Sequence, residues 1–169
     1  GSISNGAHRV ASAYLANQTV PSVILNIPDD SYGFKFFLKR GMSERDVEIA
    51  VTKFIELAEN CHVALIWPSA KGYREELAEL IPNIIYKREI SLNISGAHNL
   101  LSQVYYDEDW LGSRVKNYPG VKNKLVECFK TFDNLRVIAF QADSLDKVLM
   151  IKENVRQLFG IGRHSIHIT

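Results

Sequence analysis

The chain predicts an α/β fold: a mainly parallel or mixed sheet with helices packed on it, with room for two small α/β subdomains in 169 residues. Three observations carry that expectation. Extended apolar runs alternate with helical patterns along the chain, the alternation that builds βαβ units. His62 to Trp67 is a continuous apolar run, as in strands covered on both faces. From Ser43 to Asn60 the apolar residues Val47, Ala50, Val51, Phe54, Ile55 and Ala58 fall at i, i+3, i+4 and i+7, giving a helix with one buried stripe.

In chain order, Ser4 to Tyr14 reads as a Gly-containing turn feeding a small-residue helix, and Val20 to Ile27 as a strand. Pro28-Asp29-Asp30-Ser31-Tyr32-Gly33 is a loop. Ser43 caps the next helix, with Glu44 and Asp46 complementing its dipole. The strand from His62 stops at Pro68, Tyr73 to Leu80 is helical, and Ile84 to Ile90 is extended. Ala97 to Tyr105 is helical, and Pro119-Gly120 opens a helix reaching about Phe132. Leu135 to Phe140 is a strand, Ser144 caps a helix to about Leu158, and Gly160-Ile161-Gly162 breaks it. His164 to Thr169 is a β-prone run. Period 2 along such a strand sends His164 and His167 to opposite faces.

Composition narrows the function classes. A net charge of +1 gives no dedicated nucleic-acid surface, since non-specific affinity grows with each phosphate neutralised. No apolar run approaches the roughly 20 residues that span a bilayer, and there is no signal-peptide pattern. Cys61 and Cys128 are isolated in apolar contexts, which fits reduced core thiols and a cytoplasmic location.

The chemistry-bearing segment is the first. In Asn5-Gly6-Ala7-His8-Arg9, a glycine turn delivers a His-Arg pair into the first turn of a helix. Free N–H groups, the positive dipole end and a guanidinium there all favour an oxyanion. The other reading is a helix capped by Asn5 with solvated His8 and Arg9. Asp29 and Asp30 lie just past the following strand, where parallel sheets gather their sites, or simply form a turn. Ser95-Gly96-Ala97-His98-Asn99 echoes the first motif without its arginine and reads better as a capped helix start. Asp107-Glu108-Asp109 offers carboxylates to a hard cation, but three consecutive residues suit a solvated loop better. Lys71, after a strand and before a helix, fits an ordinary loop better than a phosphate anchor.

Ser4 to Arg9, with Ala11, Ala13, Tyr14 and the Thr19-Val20-Pro21-Ser22-Val23-Ile24 step, resembles the nucleotide-binding segment of the ParB and sulfiredoxin superfamily over about residues 3–27. The resemblance implies that 1–70 is a nucleotide-binding segment with parts of its fold lying upstream, and that 71–169 is a second α/β segment. It implies ATP or CTP with Mg²⁺ as cofactor. Asn5, Gly6, His8 and Arg9 would hold the nucleotide, with Asn5 shaping the turn. Ala7 occupies the place of the sulfiredoxin cysteine, so sulfinic acid reduction is not expected.

The expected function is a nucleotide-dependent phosphotransferase acting on a small-molecule acceptor. Asp29 or Asp30 would bind magnesium or deprotonate the acceptor, since phosphoryl transfer needs mainly positioning and charge neutralisation. The alternatives are a nucleotide-gated ParB-like binding module and a non-catalytic α/β interaction domain. Partners are therefore a nucleotide and a small molecule, with neither nucleic acid nor membrane.

Overall fold

The computed structural model describes residues 13, 15–19 and 34–169. The chain divides into two compact units, Gly1–Phe54 and Ile55–Thr169. In the first, α1 (Phe34–Lys39) precedes α2 (Glu44–Leu57), whose last turn crosses the boundary. Ser43 caps α2 as expected: its Oγ accepts the Asp46 N–H at 3.1 Å and donates to the Asp46 carboxylate at 2.6 Å. Val47 and Val51 are buried, whereas Phe54, expected in the buried stripe, is 42% exposed. The expected strand at Val20 to Ile27 lies outside the described residues.

The second unit runs β1 (Cys61–Ile66), α3 (Arg74–Leu80), β2 (Ile84–Ile90), α4 (Ile94–Val104), α5 (Val121–Cys128), β3 (Leu135–Gln141), α6 (Leu145–Phe159) and β4 (Ile166–Ile168). Short 3₁₀ turns occupy Asp109–Leu111, Arg114–Lys116 and Gly162–His164. The strands form one sheet in the order β2-β3-β1-β4, and every neighbouring pair is antiparallel. This corrects the expectation of a mainly parallel or mixed sheet. The alternation of strands and helices does make β1 parallel to β2 and β3 parallel to β4, as helical crossovers require. Yet β3 inserts between β1 and β2, and β1 between β3 and β4, so no parallel pair is adjacent. Two interleaved βαβ units, the split βαβ pattern, thus give an antiparallel ladder.

Both faces of the sheet are covered, as the apolar run at β1 predicts. Ala64 and Ile66 join Ile138, Phe140, Ile166 and Ile168 against α3 and α6, which contribute Leu77, Val148, Ile151 and Val155. Leu65 and Trp67 point the other way, with Leu135, onto Ala97 and Leu101 of α4 and Val121 and Cys128 of α5. Element boundaries shift for local reasons. Asn93 starts α4 ahead of Ala97 by accepting the Gly96 N–H at 2.8 Å. Helix α5 stops at Cys128, short of Phe132, because Ser69 takes over its end. The Ser69 N–H donates to the Cys128 carbonyl at 3.0 Å, Ser69 Oγ–H donates to the Glu127 carbonyl at 2.7 Å, and Ser69 Oγ accepts the Lys130 N–H at 3.1 Å. No helix among the described residues is long and apolar enough to cross a membrane.

Candidate functional site

Beyond β4, the short edge strand, a cleft of about 800 Å³ opens between the two helical layers. Its base is Tyr105, the residue that ends α4. The Tyr105 ring is packed by Trp110 at 5.2 Å, by His167 edge-on at 4.8 Å and by Trp67 at 6.5 Å between centroids. His167 pairs with Leu65 across the β1–β4 ladder, which turns its ring toward the α4–α5 layer. Lys124, one turn before Cys128 on α5, places Nζ 5.1 Å from the Tyr105 centroid and donates to the Arg163 carbonyl at 3.0 Å.

Helix α6 adds Lys152 and Arg156, four residues apart and so on one face. Gly160 at φ 66° then ends α6 in the left-handed conformation, its N–H donating to the Arg156 carbonyl at 3.0 Å. The 3₁₀ turn that follows presents Arg163 and His164 to the cleft. Buried Ser165 fixes that turn: its Oγ donates to the Gly162 carbonyl at 2.7 Å and its carbonyl accepts the Trp67 N–H at 3.0 Å. Both histidines therefore face one cleft, which corrects the opposite-face expectation. His164 sits in a 3₁₀ turn, before the strand begins, so period 2 does not relate it to His167.

Positive charge dominates the lining. Lys124, Lys152, Arg156 and Arg163 meet two carboxylates, Glu108 and Glu127, and Glu127 is paired with Lys130 at 3.2 Å. Arg156 reaches Glu153 at 3.6 Å on its own helix. Burial pushes the Lys124 ammonium down from its ordinary range; Cys128 opposes this, and Arg163, Arg156 and Lys152 add to it. Lys152 is lowered by burial and by Arg156. His164 is lowered by burial and by Lys124. His167 falls to about 4, through burial first and then Lys152 and Lys124. Arg156 Nε and His164 Nδ1 are buried without a hydrogen-bond partner among the described residues. An anion placed in the cleft would offset this crowding of positive charge.

A second cleft, of about 310 Å³, lies beside β2 and β3, and Arg74, Glu89 and Arg136 in its lining are engaged in contacts of their own. Glu89 pairs with Arg74 and accepts from Asn134 Nδ2 at 3.2 Å. Arg136 donates to the Gly72 carbonyl at 3.0 Å and to the Ala70 carbonyl, and lies 5.5 Å over the Phe159 ring. These contacts pin the β1–α3 loop to the sheet.

The residues read from the sequence are distributed otherwise. Asn5, Gly6, His8, Arg9, Asp29 and Asp30 lie outside the described residues. Lys71 forms an exposed ion pair with Asp133 at 2.6 Å, in keeping with a loop. Asp107, Glu108 and Asp109 are exposed, and only Glu108 lines the basic cleft. Among the described residues no three His, Cys, Asp or Glu side chains are grouped to hold a metal ion. The cleft's cations were missed because they come from α5, α6 and the 3₁₀ turn, separated by up to 39 residues. The legible signals were the Lys152/Arg156 spacing and the Arg163-His164 pair. Comparisons with known protein families, with curated proteins and with solved structures gave no match.

Proposed function

We propose that this protein binds a phosphorylated small molecule in the basic cleft at the β4 edge. The observation that carries the reading is the convergence of Lys124, Lys152, Arg156 and Arg163 on one concavity, where the described lining sets two carboxylates, Glu108 and Glu127, against four cations. The cleft's volume is in the range that encloses a small ligand, which favours a compact anion over a polymer. Planar guanidinium groups from Arg156 and Arg163 suit the oxygens of a phosphate, and the exposed face of Trp110 offers a ring for stacking.

The wider function in this proposal is nucleotide-dependent phosphoryl transfer to a small acceptor. It rests on the sequence of the first unit: Asn5, Gly6, His8 and Arg9 hold the phosphates of ATP or CTP with Mg²⁺, and Asp29 or Asp30 serves the metal or the acceptor. The test is calorimetry on the full chain with ATP, CTP and inorganic pyrophosphate. Arg156→Gln and Arg163→Gln should each weaken pyrophosphate binding by about 1.5–3 kcal/mol, the range for a hydrogen bond to a charged group. Arg9→Ala should weaken nucleotide binding by a similar amount and leave pyrophosphate binding at the cleft unchanged. Pyrophosphate affinity that ignores both cleft substitutions would refute the cleft. Nucleotide binding without any release or transfer of phosphate would replace the phosphotransferase with a nucleotide-gated binding module.

A further inference from the structure

We propose that Lys124 is a nucleophile, and that the phosphorylated ligand of the basic cleft is a carbonyl compound that condenses with its amine. The inference rests on the anion-binding reading above and adds to it the ligand's reactive group.

Lys124 is the one charged side chain that is buried among the described residues, at 9% exposure, and it lines the cleft. A buried ammonium ordinarily sits against a carboxylate. Among the described residues, the partners of Nζ are the Arg163 carbonyl at 3.0 Å and the Tyr105 ring at 5.1 Å. Three cations, Lys152, Arg156 and Arg163, line the same cleft against two carboxylates, Glu108 and Glu127, and Glu127 is already paired with Lys130. Burial and like charge both favour the free amine over the ammonium, and the direction of the Lys124 shift agrees. An amine desolvated beside other cations is the arrangement that activates lysine toward carbonyls. The same cations would hold the ligand's phosphate, so one set of residues would both bind the substrate and prepare the nucleophile.

The step balances without any further reactant. The Nζ lone pair forms a bond to the carbonyl carbon while the C=O π pair moves to oxygen, which takes up a proton. The nitrogen of this carbinolamine then loses a proton, its hydroxyl is protonated, and the nitrogen lone pair forms C=N as the C–O bond breaks; the iminium so formed gives up its N–H proton. One amine and one aldehyde or ketone give one imine and one water.

Pyridoxal 5′-phosphate, a phosphorylated aldehyde, is the probe. The full chain is incubated with it near neutral pH, reduced with borohydride and mapped by peptide mass spectrometry, alongside calorimetry with pyrophosphate on the same preparation. The expected result is a reduced adduct on Lys124 forming at least about tenfold faster than on any other lysine. Pyrophosphate should suppress it, and pyridoxal lacking the phosphate should label it about tenfold more slowly. Labelling spread evenly over surface lysines, or placed on Lys152 with Lys124 unmodified, overturns the inference. So does a folded Lys124→Arg protein, checked by circular dichroism, that is labelled as fast as the parent. Pyrophosphate binding without a Lys124 adduct overturns the nucleophile and leaves the anion site. Absence of both overturns the two together.

Discussion

His167 should make the second unit sensitive to acid. Its ring is packed edge-on against Tyr105, and burial, Lys152 and Lys124 together hold it at about 4 instead of 6.5. In the unfolded chain the imidazole regains its ordinary proton affinity, so the unfolded state binds more protons between those two values. Stability is therefore fully present above pH 6.5 and is lost as pH falls toward 4. At 1.36 kcal/mol per tenfold change in proton affinity, the whole displacement comes to roughly 3 kcal/mol, of which about 2 kcal/mol is gone by pH 5. Phenylalanine keeps a ring against Tyr105 and cannot be protonated, so His167→Phe should abolish this component. Both tryptophans, Trp67 and Trp110, belong to the second unit and flank Tyr105, which makes their fluorescence a local reporter of its unfolding. Urea melts of parent and variant at pH 7 and pH 5 give the comparison. The variant should lose about 2 kcal/mol less than the parent over that interval, whatever the other groups contribute. Equal losses in the two proteins would refute a neutral, half-buried His167.

Three further outcomes follow from particular contacts. Burial pushes the Cys128 thiol up to about 11 and raises that of Cys61, so both should resist alkylation in the native protein and react in urea; a native thiol reacting at its denatured rate would contradict this. Gly120 lies against backbone, where an added Cβ would strike the Trp110 carbonyl oxygen and come within 2.9 Å of Leu111 Cα. Gly120→Ala should therefore cost at least about 1–3 kcal/mol in chemical denaturation, and a neutral result would show that α5 starts farther from Trp110. Phe54→Ala, which full burial would make a loss of about 3–5 kcal/mol, should cost only about 1–2 kcal/mol given its exposure. Circular dichroism melts would decide between those two ranges.

Much of the secondary structure was legible in the sequence because its causes are local. Strand β2 matches Ile84 to Ile90, Ser144 caps α6 as expected with Oγ accepting the Lys147 N–H at 3.4 Å, and Ser43 caps α2. Each depends on side-chain period or on a cap within a few residues. What failed were statements about partners. Period alone shows that β1 has two apolar faces, but it does not say which strand lies beside it. Insertion of β3 between β1 and β2 turned an expected parallel sheet antiparallel. The end of α5 was likewise decided by Ser69, about 60 residues earlier in the chain, whose hydrogen bonds compete with a further helical turn.

The basic cleft belongs to the same category. The sequence determined that Lys152 and Arg156 share a helix face, that glycines end α6, and that Cys128 lies on an apolar stripe, because neighbouring residues fix all three. Only the tertiary structure decided that those cations meet Lys124 and Arg163 around Tyr105, and that His164 and His167 open to one space. Charge is a local property of a residue, whereas crowding and desolvation of charge depend on which elements pack together. The sheet order brings α5 and α6, from opposite layers, to the same edge strand, and the chemistry of the cleft begins there.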